Sequence, residues 1–267
     1  DANIVQAYDV GQSGEYHYLV MEYVRGQDRR SAIHKEGPLP VRVAVMFLLQ
    51  AAAGLEYAHS RGVIHRDVKP SNLLLTDENQ VKVLDLGLSR LVMGNTRFGT
   101  DSDNPTDITE TGSLMGTVDF MAPEQALHAH DVDFRCDIYG LGCTLYFLLT
   151  GKPPYDGGSL MKKLIAHRED PIPTLSINNK DTSDLINNLL QMTLAKNPDH
   201  RYESMSELRT SLERFLVEIP EFGEMPDTIR VASKSRRPEK ASSRRLVGML
   251  FGIGLVGIIV GVLIDPL

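Results

Sequence analysis

Cysteine is scarce in this sequence, and there is no excess of positive charge. The 267 residues include two cysteines, and the formal net charge is −7. Cys136 and Cys143 lie seven residues apart in one apolar helical stretch, which indicates reduced core cysteines and argues against a disulfide or metal role. Because a nucleic-acid-binding face is normally strongly basic, the acidic balance predicts that the protein has no nucleic-acid partner.

The sequence shows no visible internal repeat, and its first residues do not have the pattern of an export signal. Residues 1–9 contain neither a basic stretch nor an apolar run, so we do not expect them to be a signal peptide. The initiator methionine is also missing, and we expect the chain to be a fragment. With 42% hydrophobic and 24% charged residues, the composition fits a globular domain with a short appendage.

Hydrophobic periodicity predicts strands in the first part of the chain and mostly helices afterwards. Strands are expected at 4–10, 16–24, 73–75 and 81–84, and helices at 40–60 and at about 134–149, 159–168, 181–194 and 204–216. Residues 85–124 have little periodicity and indicate a long functional loop. This order of elements favours an α+β fold over a doubly wound sheet.

The C-terminal tail differs in character from the rest. Residues 228–245 hold seven Lys or Arg against one Glu, which is typical of a flexible basic linker. Residues 246–264 carry no charge and no strongly polar group. As a helix they would span about 28 Å, near the thickness of the hydrocarbon core of a bilayer. We expect a transmembrane helix here; a buried or interfacial helix is the alternative.

The most informative motif is His-Arg-Asp-Val-Lys-Pro-Ser-Asn at 65–72. Phosphoryl transfer needs a carboxylate to orient the attacking hydroxyl, a cation for the moving phosphate and oxygen ligands for Mg²⁺. Asp67, Lys69 and Asn72 supply these three functions within six residues. Asp85-Leu-Gly follows at the end of the next hairpin, and Ala-Pro-Glu at 122–124 closes the loop after it.

At these motifs the chain resembles the protein kinase family, from Asn3 to about Leu216. The resemblance implies a protein-kinase-like fold, mostly the helical large lobe with a remnant of the small-lobe sheet. It implies transfer of the γ-phosphate of ATP to Ser or Thr hydroxyls of protein substrates, with Mg²⁺ required. Leu86 stands where the family usually has Phe.

The resemblance also implies a role for individual residues. Asp67 would be the catalytic base, and Lys69 would contact the transferred phosphate. Asn72 and Asp85 would bind Mg²⁺ and so hold the nucleotide. Backbone groups of the hinge would bond the adenine of ATP, namely those of Glu22 and Val24.

Other residues resemble the scaffold of a kinase. Glu124 and Arg201 resemble a buried ion pair, and Asp137 resembles the carboxylate that holds the backbone of the catalytic loop. His65 is expected to be a packing residue rather than a proton carrier. Arg66 resembles the residue that pairs with a phosphate on the activation loop.

Two features indicate serine/threonine rather than tyrosine specificity. One is Lys69, and the other is Gly116-Thr117, whose threonine hydroxyl would contact the base and Lys69. A regulatory phosphorylation site is expected among four residues of the preceding loop: Thr106, Thr109, Thr111 and Ser113. The alternative is that Ser and Thr are simply common in flexible loops.

The glycine-rich loop of a complete kinase and its small-lobe lysine are not found in this sequence. Lys35 is the only lysine before Asp67, and it follows the hinge. Gly11-Gln-Ser-Gly14 is expected to be a hairpin turn. The chain alone is therefore expected to transfer little phosphate, either because it is truncated or, as the alternative, because it is a pseudokinase-like membrane scaffold.

These observations predict four segments. They are a kinase domain at 1–216 lacking most of the small lobe, a basic juxtamembrane linker at 217–245, a transmembrane helix at 246–264 and an outer tail at 265–267. The basic linker places the kinase domain in the cytoplasm by the positive-inside bias, and it could also contact anionic lipid. Glycines at 254, 257 and 261 share one helix face, and homodimerisation is a hypothesis based on them.

Overall fold

The computed structural model describes residues 1–13, 16–86, 116–127, 132–177, 179–219, 248–251 and 258–261. Its strands are β1 (Ala7–Ser13), β2 (Tyr16–Met21), β3 (Gly26–Asp28), β4 (Leu73–Thr76), β5 (Val81–Val83), β6 (Gly248–Phe251) and β7 (Ile258–Gly261). Its helices are α1 (Arg29–Glu36), α2 (Val41–Ser60), α3 (Pro123–Leu127), α4 (Arg135–Thr150), α5 (Leu160–Glu169), α6 (Lys180–Thr193) and α7 (Met205–Glu218).

The helices of the large lobe confirm the helices predicted from hydrophobic periodicity. Helices α2, α4, α5 and α6 begin and end within about one residue of the predicted bounds, and α7 extends two residues further. The first strand differs more, since β1 starts at Ala7 rather than at residue 4. The residues before it contact the large lobe instead: Ile4 forms a parallel bridge with Val83, and the Val5 N–H donates to Val83 O at 3.0 Å.

Helix α1 and strand β3 were not predicted. Helix α1 carries only two buried aliphatic residues, Ala32 and Ile33, so its apolar periodicity is weak. Its end signals are clearer, because the Asp28 side chain accepts from the Ser31 N–H and Gly37 follows with φ 90°. A capping residue before the helix and a glycine after it could have revealed this element.

The core of the described large lobe is built on α2 and α4. Each helix buries several aliphatic side chains completely, including Leu48 and Leu55 on α2 and Leu141 and Leu145 on α4. Helix α4 also lies directly beneath the catalytic motif, because a Cβ at Gly140 would sit 2.8 Å from the carbonyl oxygen of Val68. The most densely buried helix of the lobe therefore supports the loop that holds the candidate site.

Two small sheets are described. One has the order β3-β4-β5, and the other has the order β1-β2-β7-β6. The β1–β2 and β4–β5 hairpins are antiparallel, which confirms both predicted hairpins. Helices and small sheets together agree with the α+β prediction.

Among the described residues, one helix is long and apolar enough to cross a membrane by length and composition alone. It is α2, and half of its most apolar window is buried inside the protein. Helix α2 packs against α4 and α7. Helix α2 is therefore the core helix of the lobe.

The C-terminal transmembrane helix is not shown by the structure. Within 246–264 the described residues are the strands β6 and β7, and β7 pairs in parallel with β2. An open strand edge offers unpaired backbone groups, and the β-branched residues of β7 are well suited to complete it. In lipid the same segment would have to satisfy its backbone internally, which favours a helix.

Candidate active site

The loop at 65–72 connects α2 to β4 and is held from below by Asp137. The buried carboxylate of Asp137 accepts the backbone N–H of His65 at 2.9 Å and that of Arg66 at 2.7 Å. It also accepts a hydrogen bond from Nε2 of His59 at 2.8 Å. Asp137 therefore does what the sequence predicted for it, and it fixes two consecutive peptide groups just before Asp67.

Asp67 and Lys69 lie side by side at the surface of this loop. Nζ of Lys69 is 2.7 Å from Oδ2 of Asp67, and both side chains are mostly buried. The same Nζ donates to Oγ1 of Thr117 at 2.8 Å. The predicted contact between Lys69 and the threonine of the distant Gly116-Thr117 pair is thus present.

Asn72 is bound to the loop through its amide nitrogen. Nδ2 donates to the backbone oxygen of Asp67 at 2.9 Å and to Oδ2 of Asp67 at 3.1 Å. Both bonds use the NH₂ group, and no hydrogen bond to the amide oxygen is found within the described residues. Asn72 therefore holds Asp67 through its amide nitrogen.

Asp85 follows β5 in an unusual backbone conformation. Its φ is 56°, in the left-handed region that is strained for a residue with a side chain. The residue before it is tied to the loop, since Leu84 N–H donates to Asn72 O at 2.9 Å and His65 Nε2 donates to Leu84 O at 2.7 Å. These bonds bring the end of β5 to the loop that carries Asp67 and Asn72.

The electrostatics of Asp85 suit a cation ligand. Although part of the residue is open to solvent, desolvation by the surrounding protein raises the pKa of its carboxyl. The charge of Asp67 adds to this rise, and Lys69 opposes it. A divalent cation would offset the repulsion between the two carboxylates.

A magnesium ion fits this donor set in a particular way. Within the described ranges, no three His, Cys, Asp or Glu side chains are grouped so that they could hold a metal ion by themselves. Mg²⁺ in phosphoryl-transfer enzymes usually takes one or two protein oxygens and completes its shell with waters and substrate phosphates. Asn72 and Asp85 offer oxygens of that type, so the residues present fit the ion as a partner of a nucleotide.

His65 is buried completely and has a structural role. Because a carbonyl oxygen can only accept, Nε2 of His65 carries the proton in its bond to Leu84 O. Nδ1 can then accept the backbone N–H of Asp67 at 3.3 Å. This arrangement agrees with the prediction of a packing residue.

The hinge candidates lie between the β1–β2 hairpin and the large lobe. The Glu22 N–H donates to Gln6 O at 2.9 Å, and Oε1 of Glu22 accepts the Gln6 N–H at 3.1 Å. The same carboxylate forms an ion pair with Lys82 of β5 at 2.5 Å. Glu22 is therefore tied to the strand that leads to Asp85, and Val24 is partly buried two residues further on.

The segment around Ala122-Pro-Glu is anchored to the large lobe. Glu124 and Arg201 form a two-pronged ion pair with distances of 2.6 and 2.8 Å, and Arg201 is 3% exposed. This confirms the predicted contact. A second buried ion pair, between Asp119 of this segment and Lys163 of α5, was not predicted because nothing in the local sequence links two residues so far apart.

Gln125 is another residue that the sequence analysis missed. Oε1 of Gln125 accepts the Ala122 N–H at 3.0 Å, and Nε2 donates to the backbone oxygen of Arg66 at 2.7 Å. Proline at the first position of α3 and glutamine at the third form half of a capping box. That signal could have predicted the first bond but not the second.

Several predicted features lie outside the described residues. They are the four candidate phosphorylation sites at 106, 109, 111 and 113, Gly87, Gly14 of the hairpin turn and the basic linker at 228–245.

Comparison with known proteins identifies the family of this chain. Residues 1–212 match the family model described as the protein kinase domain. Serine/threonine-protein kinase PknB of Mycolicibacterium smegmatis is 37% identical over 239 residues, which cover 88% of this chain and 36% of the relative. PknB of Mycobacterium leprae is 39% identical over 217 residues, covering 79% of this chain and 33% of the relative.

A probable serine/threonine-protein kinase of Clostridium perfringens is 35% identical over 243 residues, covering 91% of this chain and 32% of that protein. The chain thus spans about a third of the length of the curated relatives it matches. The family match covers most of the chain, and the motifs of that family meet in one site. The chain belongs to the protein kinase domain family.

Proposed function

We propose that this chain carries the catalytic centre of a protein serine/threonine kinase, which transfers the γ-phosphoryl group of ATP to Ser or Thr hydroxyls of proteins. The observation that carries the proposal is the cluster around Lys69. Its Nζ contacts both Asp67 and Thr117, and Asn72 donates to the same carboxylate oxygen of Asp67 that Lys69 contacts. These four side chains come from two distant parts of the sequence.

In this reaction a bond forms between the substrate hydroxyl oxygen and the γ-phosphorus, and the bond to the β–γ bridging oxygen breaks. ADP leaves, and the hydroxyl proton passes to Asp67. Asp67 orients the hydroxyl, and Lys69 lies where it can stabilise the charge of the transferred group. Positioning and electrostatics supply most of the catalysis in this reaction class.

ATP and Mg²⁺ are the cofactors that protein kinases typically use, and we propose both for this chain. Asn72 and Asp85 would hold the ion, which neutralises charge on the phosphates when it is bound. Backbone groups of Glu22 and Val24 would bond the adenine. The ion pair between Glu22 and Lys82 supports this role, because it ties the hinge to the strand that ends at Asp85.

The test is a transfer assay on the full-length protein with ATP labelled at the γ-phosphate, followed by phosphoamino acid analysis of a protein substrate. Label on serine or threonine that depends on Mg²⁺ supports the proposal. Label on tyrosine would refute the specificity. A folded full-length protein that binds ATP and transfers nothing would favour the pseudokinase-like scaffold.

We further propose a single membrane span at 246–264, with the kinase domain in the cytoplasm. The support is the uncharged run of 19 residues and the basic segment that precedes it. The strands β6 and β7 occupy parts of this run, so a direct test is needed. Alkaline extraction of membranes should release a chain that ends at residue 219 and retain the full chain; release of both would refute the span.

The glycines of this segment support a subsidiary proposal of homodimerisation. Residues 254, 257 and 261 would share one face if the segment is helical, and small residues allow close helix–helix contact. Crosslinking from the basic linker in membranes should trap a dimer. If substitution of the three glycines by leucine leaves the trapped dimer unchanged, this proposal is wrong.

A further inference from the structure

Gln125 connects two segments that the phosphoryl-transfer site needs. Its amide oxygen accepts from Ala122 in the Ala-Pro-Glu segment, and its amide NH₂ donates to the backbone oxygen of Arg66. The second bond spans 59 residues of sequence and is the shorter of the two at 2.7 Å. Gln125 is partly buried. The side chain therefore bridges the Ala122-Pro-Glu segment and the loop at 65–72.

The acceptor of that bond belongs to a strained residue. Arg66 has φ 66°, in the left-handed region that residues with a side chain rarely adopt. Its N–H is held by Oδ1 of Asp137 at 2.7 Å, and its carbonyl oxygen is held by Gln125. Such a conformation persists only when its surroundings determine it, and these two bonds hold both polar groups of the Arg66 backbone.

Gln125 binds the peptide group that joins Arg66 to Asp67. The carbonyl of Arg66 and the N–H of Asp67 share one plane, and that N–H faces Nδ1 of His65 at 3.3 Å. A rotation of this plane would turn the backbone of Asp67. It would then move the carboxylate away from Lys69 and Asn72.

We propose that Gln125 is a positioning residue for phosphoryl transfer. Through its bond to Arg66 it sets the orientation of the peptide before the base, and through its bond to Ala122 it makes that orientation depend on the position of the Ala122-Pro-Glu segment. This inference rests on the proposed kinase function. It adds a residue outside the motifs that carry the chemistry, and the proposed role of Gln125 acts through Arg66 rather than through a contact with substrate or nucleotide.

The two hydrogen bonds can be separated by single substitutions. Gln125→Glu keeps an oxygen for the Ala122 N–H and loses the donor to Arg66 O. Gln125→Met keeps the length of the side chain and loses both bonds. The matched control is Gln50→Glu, because Gln50 also bridges two backbone groups, donating to Asn79 O at 3.1 Å and accepting the Val81 N–H at 3.0 Å.

Steady-state kinetics on the full-length protein give the first readout. Gln125→Glu and Gln125→Met should each lower kcat by about 10- to 100-fold, because small displacements of a catalytic group have effects of that size. The KM for ATP should change little. As pH falls, the activity of Gln125→Glu relative to wild type should rise, because a protonated Glu regains the donor. Gln50→Glu should keep the wild-type kcat.

Amide hydrogen exchange gives a second readout that does not depend on activity. The amides at positions 67 and 68 should exchange faster in both Gln125 variants than in wild type or in Gln50→Glu. If Gln125→Glu keeps wild-type kcat and wild-type exchange, Gln125 is only a helix cap and the inference is overturned. If the wild-type protein transfers no phosphate but the Gln125 variants still exchange faster than wild type, the proposed function is refuted while the contact of Gln125 with the catalytic loop is supported.

Discussion

Nζ of Lys69 donates a hydrogen bond of 2.8 Å to Oγ1 of Thr117, although 48 residues separate them in sequence. The contact places the segment before α3 directly against the catalytic loop. It also connects a residue proposed to contact the phosphate with one proposed to select the type of acceptor.

Thr117→Val removes the acceptor of this bond without changing the size of the side chain much. Hydrogen bonds to charged groups contribute about 1.5–3 kcal/mol, so kcat for Ser/Thr transfer should fall about 10- to 100-fold. Steady-state assays on the full-length protein measure this. Thr117→Ser keeps the hydroxyl and should stay near wild type; a Val variant with full activity would contradict the role.

Asp67→Ala and Asp85→Ala should each abolish transfer while the protein stays folded. A positioned general base contributes about 10²–10⁴-fold, and loss of an ion ligand prevents binding of the metal–nucleotide complex. Initial rates with labelled ATP measure the effect, and circular dichroism checks the fold. Glu78→Ala, in the exposed turn between β4 and β5, is the control and should be fully active. Substantial activity in either aspartate variant would refute the proposed mechanism.

The ion pair between Glu124 and Arg201 should act mainly on stability. Arg201 is buried, so Glu124→Ala leaves an unpaired charge in the interior and should lower the free energy of unfolding by about 3–5 kcal/mol. Urea denaturation measures this. The control is Asp199→Ala, which breaks a much more exposed pair with Arg135 and should cost less than about 1 kcal/mol. Equal losses in the two variants would show that burial does not set the effect.

His167 should make stability depend on pH. Burial lowers the pKa of His167 to about 4 from an ordinary value near 6.5, and the nearby Lys196 and Lys163 add to this. The folded state therefore disfavours protonation, so the full contribution is present above pH 6.5 and is lost as pH falls from 6.5 towards 4. At pH 5 the loss should be about 2 kcal/mol, at 1.36 kcal/mol per pKa unit.

Urea denaturation at pH 7.5 and pH 5 measures that loss. In His167→Gln, the pH-dependent part assigned to this ring should disappear, although the hydrogen bond between the Tyr139 hydroxyl and Nδ1 is lost or weakened at both pH values. An unchanged pH dependence in this variant would show that other groups cause it. His200 lies in an exposed turn, and His200→Gln is the matched control.

The sequence predicted most of the large lobe because its helices have one buried face and clear ends. It also predicted the residues of the catalytic loop, because phosphoryl transfer demands particular groups at short spacing. It could not predict contacts that only the folded chain creates, such as Asp119 with Lys163 or Gln125 with Arg66. The left-handed conformation of Asp85 was equally hidden, since that residue type carries only a weak preference for it.

For the segment at 246–264, the sequence fits two different secondary structures. Its composition suits a membrane helix, while its β-branched residues also suit the strand edge of β2 that the structure pairs with β7. The choice between these two states depends on the solvent around the segment, and sequence alone does not specify that solvent.

The imidazole of His65 joins the peptide of Asp67 to the carbonyl of Leu84, one residue before Asp85. The backbone positions of Asp67 and Asp85 are therefore coupled through His65. A change in the backbone near one aspartate alters the placement of the other. Substitutions around Asp67 and around Asp85 should consequently be non-additive in double-mutant cycles. A kinetic loss measured at Asp67 or at Asp85 therefore includes a contribution from the other residue.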